Sequence, residues 1–250
     1  MNTIPCIRRS SEHLLLALCL AGLANQDGLA AEPQILFDGK DLSGWSPPTT
    51  NWMAAQSVSI DPADETKFVI TTGNGILVNG PAGRAPDLFT KAEFGDLELH
   101  VEFCIPRHSN SGVYLMGRYE IQVYDSFGVQ KDKYPGIECG GIYPRFIGGK
   151  TVEGHSPLVN ASKAPGEWQT FDITFRAPRF DASGKKTANA KVVQIVHNGK
   201  VIHQNIELTG PTRGAQPDDE KPTGPLRLQG DHGPVAYRNL KLTAIDLSGK

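Results

Sequence analysis

Apolar residues recur at every second position of this chain more clearly than at helical spacing. In the clearest run, apolar side chains occupy the odd-numbered positions from Leu97 to Ile105. Such alternation is typical of a β-strand with one buried face. Similar runs occur at 68–72, 76–79, 112–116, 119–124, 170–176, 191–197, 201–207, 226–229 and 235–245. The pattern predicts many short strands and no long helix.

Turn signals separate these runs. Asp38-Gly39, Asn74-Gly75 and Asn198-Gly199 are pairs that tolerate positive φ, and the last lies between two strand-like runs, as in a hairpin. The 27 glycines and 18 prolines in 250 residues also favour turns. Because one sheet cannot bury both of its own faces, we predict an all-β fold, a two-sheet antiparallel β-sandwich of jelly-roll type.

The amino-terminal segment is typical of a secretory signal peptide. Arg8 and Arg9 precede an apolar run from Leu14 to Leu23, and small residues follow up to Ala31. We predict a signal peptide at 1–31 and a single domain at 32–250, with polar excursions at 178–190 and 211–223. The mature chain would have no membrane span and would be periplasmic or secreted.

Charge argues against one class of partner. Lys and Arg total 25 against 27 for Asp and Glu, a formal net charge of −2. No basic field is available to hold a nucleic-acid backbone, so no nucleic-acid partner is expected.

Two cysteines remain once the signal peptide is removed. Cys104 and Cys139 would then lie in an oxidising compartment, where a disulfide between them could form. Two separate buried thiols are the alternative, because the sequence does not fix the distance between them.

A row of polar side chains marks the first candidate site. Arg118, Glu120, Gln122 and Tyr124 share one face of a predicted strand at intervals of about 7 Å, and Asn110 begins the same segment. Such fixed donors and acceptors suit sugar hydroxyls. The alternative is a solvated strand face with an internal Arg–Glu pair.

The spacing Glu120-x-Gln122-x-x-Asp125 invites comparison with jelly-roll glycosidases that carry Glu-x-Asp-x-x-Glu on one strand. Period two places Asp125 on the opposite face from Glu120 unless a β-bulge re-aims it. Hydrolysis by two carboxylates is therefore not assured.

A second candidate segment lies near the carboxyl end. Gln229 should point away from the core, and Asp231-His232 should lie in the turn that follows. A histidine beside a carboxylate can transfer protons, although it can equally cap a turn. Arg238 could reach the face of Gln229 or brace a strand end.

Other chemistry is weakly indicated. The remaining histidines show no spacing typical of zinc ligands, so the metal site is unknown, and loop oxygens could still hold calcium. No cofactor is certain, and a divalent metal stays open. Nucleophile-elbow, phosphate-loop and dinucleotide motifs are absent from the sequence.

Several separated motifs together resemble one family. They are Leu36-Phe-Asp-Gly-Lys-Asp-Leu-Ser-Gly-Trp45, Asn110-Ser-Gly, Tyr119-Glu-Ile-Gln, Gly166-Glu-Trp-Gln169 and 224–239. In this order they resemble the 3-keto-disaccharide hydrolase domain family over about residues 34–245. Gln169 and the Leu228-Gln-Gly-Asp-His232 spacing depart from the family pattern, which leaves the site geometry open. The resemblance implies a concanavalin A-like or laminin G-like jelly roll that acts on 3-keto-glycosides, by hydrolysis or by elimination and hydration.

A ketone at carbon 3 acidifies the proton at carbon 2, so a base can remove it and the group at carbon 1 can leave. We expect Glu120 and His232 to be the catalytic acid and base, in either order. The expected substrate-binding residues are Asn110, Arg118, Gln122, Tyr124, Gln229, Asp231 and Arg238. The expected partner is an oxidised di- or oligosaccharide. A non-catalytic carbohydrate-binding module and a conventional jelly-roll endo-glycosidase are the alternatives.

Overall fold

The computed structural model of the protein describes Met1, residues 32–133 and residues 137–249. The predicted signal peptide lies, apart from Met1, outside the described residues. Within them lie a 3-10 helix at Lys131–Lys133 and seventeen strands. The strands are β1 (Gln34–Ile35), β2 (Trp45–Ser46), β3 (Met53–Asp61), β4 (Asp64–Val78), β5 (Leu88–Phe94), β6 (Leu97–Cys104), β7 (Asn110–Leu115), β8 (Tyr119–Tyr124), β9 (Arg145–Ile147), β10 (Lys150–Val152), β11 (Gln169–Arg176), β12 (Arg179–Phe180), β13 (Lys186–Ala188), β14 (Ala190–His197), β15 (Lys200–Leu208), β16 (Gly224–Leu228) and β17 (Ala236–Ala244).

Most strands belong to two antiparallel sheets, which confirms the predicted sandwich. The large sheet has the order β15-β14-β11-β6-β17-β4-β3, with β1 also paired to β17. The small sheet has the order β2-β5-β16-β7-β8. Two hairpins, β9–β10 and β12–β13, stand outside both sheets. Among the named strands, β8 is therefore the last of the small sheet, and it carries the first candidate site.

The core lies between the inner faces of the two sheets. Leu99 and Val101 of β6 and Phe171 of β11 are buried there with Val113 and Ile121 of the small sheet. The ring centroids of Tyr119 in β8 and Phe175 in β11 are 5.4 Å apart, so side chains meet across the sandwich. Burial of this apolar surface is the main force that holds the sheets together.

The predicted hairpin turn is present between β14 and β15. Asn198 has φ of 49° and Gly199 has φ of 77°, both in the left-handed region. Because the turn needs positive φ at both residues, Asn-Gly is the favoured pair.

Two segments extend the small sheet beyond β8. In the edge segment (residues 139–143), the Gly140 N–H donates to the Gln122 carbonyl over 2.7 Å and the Tyr143 N–H donates to the Glu120 carbonyl over 3.0 Å. In the cover loop (residues 211–223), the Thr212 N–H donates to the Arg118 carbonyl over 2.9 Å. The polar excursion predicted at 211–223 also bonds to β8, because Thr212 Oγ1 accepts from the Glu120 N–H over 3.1 Å, and the loop covers the outer face of the small sheet.

The disulfide considered between Cys104 and Cys139 is not formed. Both are free, buried thiols, and burial raises the pKa of each to about 12. Cys139 belongs to the main core, whereas Cys104 packs with Ala55, Val78 and Ala236 in a second apolar cluster. Of the two alternatives, the structure shows two separate buried thiols, because the fold places them in different clusters.

A chain that begins at Glu32 should contain two thiols that are masked in the native state. We expect no reaction with a thiol reagent in the folded protein, because burial keeps the thiols protonated and inaccessible. After denaturation without reductant, two thiols per chain should react. A count of zero would contradict the structure and restore the disulfide.

Candidate active site

A cavity of about 400 Å³ lies on the outer face of the small sheet, below the cover loop. Its walls combine the ends of β5 and β16, strands β7 and β8, and residues of the edge segment and cover loop. Six residues expected from the sequence line it: Asn110, Glu120, Gln122, Gln229, Asp231 and His232. Residues from the two distant candidate segments therefore share one cavity.

The alternation of β8 explains which side chains reach the cavity. Tyr119, Ile121 and Val123 are in the core between the sheets. Glu120 and Gln122 point to the opposite face and line the cavity. Neither is exposed to bulk solvent, because the edge segment and cover loop lie over this end of the sheet.

The Glu120 side chain is only 3% exposed, and Gly112 on β7 makes room for it because glycine has no side chain. A Cβ on Gly112 would lie 2.3 Å from Glu120 Oε1, which is closer than atoms can approach. Tyr114 is directly opposite Glu120 in the β7–β8 ladder, and its phenol hydrogen-bonds to the carboxyl group. Glycine at 112 therefore fixes where the carboxyl group lies.

Burial raises the pKa of Glu120 to about 8. The Tyr114 hydrogen bond and the positive charge of Arg227 oppose the shift, and the negative charge of Asp87 reinforces it. Desolvation dominates because a charged carboxylate loses more by leaving water than these neighbours restore. At neutral pH the Glu120 carboxyl group is therefore mostly protonated.

A buried cation forms the wall beside Tyr114. Arg227 is 3% exposed, and its guanidinium carbon lies 4.1 Å from the centroid of the Tyr114 ring. Its Nη1 donates to the Gly214 carbonyl over 2.6 Å, and its Nη2 forms an ion pair with Asp87. Since Asp87 Oδ1 also accepts from the Gly230 N–H over 2.9 Å, the pair is fixed to the end of β16.

Two amides present acceptors to the cavity. Gln122 Nε2 donates to Asn110 Oδ1 over 2.7 Å, and Gln229 Nε2 lies 3.5 Å from the Tyr114 hydroxyl. Within the described part of the chain, Oε1 of each glutamine is buried and has no hydrogen-bond partner. Buried acceptors without partners are costly, so a ligand hydroxyl that donates to them would be favoured.

His232 and Asp231 stand at the mouth of the cavity. Their side chains are 50% and 58% exposed, and His232 Nδ1 hydrogen-bonds to Asp231 Oδ1. The histidine loop (residues 230–235) is held by Asn79, whose Nδ2 donates to the Gly230 and Gly233 carbonyls over 2.9 and 2.7 Å. Asn79 Oδ1 also accepts from the Val235 N–H over 2.8 Å. The position of the histidine is thus set by a buried side chain.

The structure places three of the expected substrate-binding residues outside this cavity. Arg118 is buried at the turn before β8, where Nη1 donates to the Met116 carbonyl over 2.8 Å. Arg238 belongs to β17 of the large sheet, and its Nε pairs with Glu102 over 2.6 Å. Tyr124, at the end of β8, lines a separate cavity. The expectation that these three contact substrate with Glu120 is corrected. Arg118 lies in the turn before β8, Arg238 belongs to the other sheet, and Tyr124 is the last residue of β8, where it lines the separate cavity.

Several wall residues were not predicted as site residues. Strand alternation places Tyr114 on the same face as Gly112, and Arg227 on the same face as Gln229. That alternation could have indicated both residues. Asp87, Tyr143 and Arg213 come from connecting segments, and no sequence pattern joins those segments to the strands.

Among residues 1, 32–133 and 137–249, no group of three or more His, Cys, Asp or Glu side chains is placed to hold a metal ion. In the same part of the chain, no helix is long and apolar enough to cross a membrane.

The family model of the 3-keto-alpha-glucoside-1,2-lyase-like domain matches residues 32–243. The chain belongs to this family, which confirms the resemblance described above. Family membership makes the protein carbohydrate-active, with a carbohydrate as its partner.

Similar solved structures include two candidate glycosyl hydrolases from Parabacteroides distasonis. One is 28% identical with a TM-score of 0.60, over 86% of this chain and 84% of its own. Another is 18% identical with a TM-score of 0.55, over 86% of this chain and 94% of its own, and supports the fold alone. No curated protein matches the chain.

The raised pKa of Glu120 should make stability depend on pH. Between pH 4.5 and about 8 the unfolded carboxyl group is ionised while the folded one keeps its proton. The folded state therefore binds more protons, and its free energy of unfolding should fall by up to about 1.4 kcal/mol per pH unit across this window. In Glu120→Gln this contribution should be lost.

Chemical denaturation at several pH values measures the effect. Glu98→Gln, which changes an exposed carboxylate on β6, is the matched control and should keep the wild-type slope. Equal slopes in wild type and Glu120→Gln would show that Glu120 titrates normally.

Proposed function

We propose that the protein cleaves 3-keto-glycosides by eliminating the group at carbon 1, with Glu120 as the acid and His232 as the base. The observation that carries the proposal is that these two residues line one cavity while differing sharply in burial. A buried carboxyl group with a raised pKa in a polar cavity is typical of an acid–base site.

The order of strands leaves room for a sugar between the two groups. Glu120 lies on β8, and the histidine loop follows β16, with β7 between these strands. Neighbouring strands are about 4.8 Å apart, so β8 and β16 are separated by about 10 Å. A pyranose ring bound over β7 could present carbon 2 to one side and carbon 1 to the other.

His232 is suited to remove the proton at carbon 2. With Nδ1 hydrogen-bonded to Asp231, the Nε2 atom is the one that faces away from the carboxylate. The carboxylate orients the imidazole and stabilises the imidazolium that forms. The electron pair of the carbon–hydrogen bond then makes the double bond between carbons 1 and 2.

Glu120 is suited to protonate the departing oxygen. Because its pKa is about 8, it holds a proton at neutral pH that it can donate as the bond from carbon 1 to oxygen breaks. The products are a 3-keto-glycal and an alcohol, and addition of water to the glycal would complete a net hydrolysis.

The charge that develops on the oxygen at carbon 3 needs a counter-charge. Arg227 supplies a fixed cation in the wall, and the Tyr114 hydroxyl lies beside it. Fixed groups of this kind stabilise a developing oxyanion without reorganisation. The acceptors of Gln122 and Gln229 would bind sugar hydroxyls.

The alternative of a conventional glycosidase loses support because Asp125 does not line the cavity that holds Glu120. Asp125 lines the separate cavity with Tyr124, and its Oδ2 accepts from the His108 N–H over 2.9 Å. The nearer carboxylate, Asp87, is paired with Arg227. Elimination needs no second carboxylate nucleophile, so it fits this arrangement better.

Substituting either group should abolish turnover and leave the fold intact. Glu120→Gln and His232→Asn should each lower kcat on a 3-keto-disaccharide by about 100-fold or more, since each removes a proton-transfer group. Glu98→Gln is again the control and should retain wild-type turnover. A near-wild-type rate in either variant, with the circular dichroism spectrum of the folded protein unchanged, would remove that residue from the mechanism.

The substrate class is tested by comparing oxidised and unoxidised sugars. We expect wild type to cleave 3-keto-trehalose or 3-keto-sucrose and to leave trehalose and sucrose intact, because only the ketone acidifies carbon 2. Cleavage of the unoxidised sugars would favour an ordinary glycosidase, and binding without cleavage would favour a binding module. Repeating the assay with a chelator tests whether a divalent metal takes part.

A further inference from the structure

The cavity that contains Tyr124 and Asp125, named here the end cavity, has a volume of about 700 Å³. It is bounded by the tip of the β3–β4 hairpin, the connection from β6 to β7, the segment after β8 and the turn before β11. It shares no lining residue with the cavity that holds Glu120, and the proposed elimination uses none of its residues. Its volume lies within the range of about 300–1,000 Å³ that is usual for small-molecule sites.

The segment after β8 presents an aromatic ring in a fixed position. Phe127 is 56% exposed, and its N–H donates to Asp125 Oδ1 over 3.4 Å. Asn160 Nδ2 donates to the carbonyls of Ser126 and Val129 over 2.7 and 2.9 Å, one on each side of Phe127. Backbone anchoring therefore fixes this ring, although more than half of its surface is open to solvent.

The opposite wall of the end cavity is also held by specific contacts. The Arg107 N–H donates to the Glu65 carbonyl over 3.0 Å, and Arg107 Nη1 donates to Glu65 Oε2 over 3.0 Å. A Cβ on Gly166 would lie 2.7 Å from Ile60 Cγ1, so the turn before β11 is in close contact with the hairpin. These contacts join three separate segments, and the cavity is built into the fold.

The lining of the end cavity is apolar on its rings and polar at its edges. Its apolar side chains are Ile60, Tyr124, Phe127, Val129 and Pro165. Its charges balance, with Arg107 and Lys133 against Glu65 and Asp125. An apolar lining with balanced charge favours an uncharged ligand that has both an apolar face and hydrogen-bonding edges.

We infer that the end cavity is a second carbohydrate-binding site, which holds an uncharged, unoxidised sugar unit without acting on it. The Phe127 and Tyr124 rings suit the apolar face of a pyranose, and the Tyr124 hydroxyl and His108 imidazole offer hydrogen bonds to its hydroxyls. Neither carboxylate is set up for proton transfer, because Glu65 pairs with Arg107 and Asp125 accepts from backbone N–H groups. The inference needs neither Glu120 nor a ketone, so it stands apart from the proposed elimination.

Methyl resonances of Ile60 and Val129, which line the end cavity, report its occupancy. We expect maltotriose or cellotriose to shift them saturably in wild type. Phe127→Ala should weaken this binding by about tenfold, the scale of truncating a residue at the centre of a contact, and Phe127→Tyr should stay within about twofold of wild type. Phe146→Ala is the matched control, because Phe146 is 53% exposed on β9 and lies outside the cavity, and it should bind as wild type does.

Further measurements separate this site from the one at Glu120. Glu120→Gln should bind the trisaccharides as wild type does, and Phe127→Ala should keep the wild-type kcat on a 3-keto-disaccharide. If wild type cleaves no oxidised sugar, the proposed function fails, while saturable Ile60 and Val129 shifts would still support the second site.

The wild-type titration alone can overturn the inference, however the variants fold. It is overturned if neither trisaccharide shifts Ile60 and Val129, or if only trigalacturonate, a charged trisaccharide, does so. Unchanged affinity in Phe127→Ala would also overturn it, and so would loss of the shifts in Glu120→Gln, which would place the sugar in the Glu120 cavity instead.

Discussion

Desolvation of one carboxyl group is the physical constraint on which the proposed chemistry depends. Glu120 can be buried only because Gly112, on the adjacent strand β7, has no side chain. The cover loop and edge segment then exclude water. The cost of charging a buried carboxylate is what supplies a proton donor near neutral pH. Tyr114 and Arg227 limit that cost but do not cancel it. The pKa of Glu120 therefore depends on how the surrounding backbone packs as much as on the glutamate itself.

Alternation along single strands could be predicted because it depends only on neighbouring residues. The inward positions of Tyr119, Ile121 and Val123 follow from period two, and so does the shared face of Glu120 and Gln122. The cavity also contains the turn with Asp231 and His232, which the sequence indicated only as a candidate. The motifs shared with the family, taken in their order along the chain, gave information that hydrophobic periodicity does not contain.

Contacts between distant segments could not be read in the same way. Arg118 shares the period of Glu120, yet it lies before the strand begins and is used to hold the cover loop. Arg238 is close in sequence to His232 but belongs to the opposite sheet, where it lies 4.0 Å from the Trp168 ring centroid. Asp87, Tyr143 and Arg213 enter through loops. Strand pairing, more than the local sequence pattern, determines which charged side chains line the cavity.

The clamp at Asn79 has a consequence for the whole sandwich. Asn79 follows β4 of the large sheet and fixes the loop of His232, whereas Glu120 is carried by β8 of the small sheet. The histidine loop leaves β16 of the small sheet and leads to β17 of the large sheet, so Asn79 ties this connection between the layers to the large sheet. The apolar contacts between the layers, such as Tyr119 on Phe175, therefore help to set the distance between the proposed base and the proposed acid.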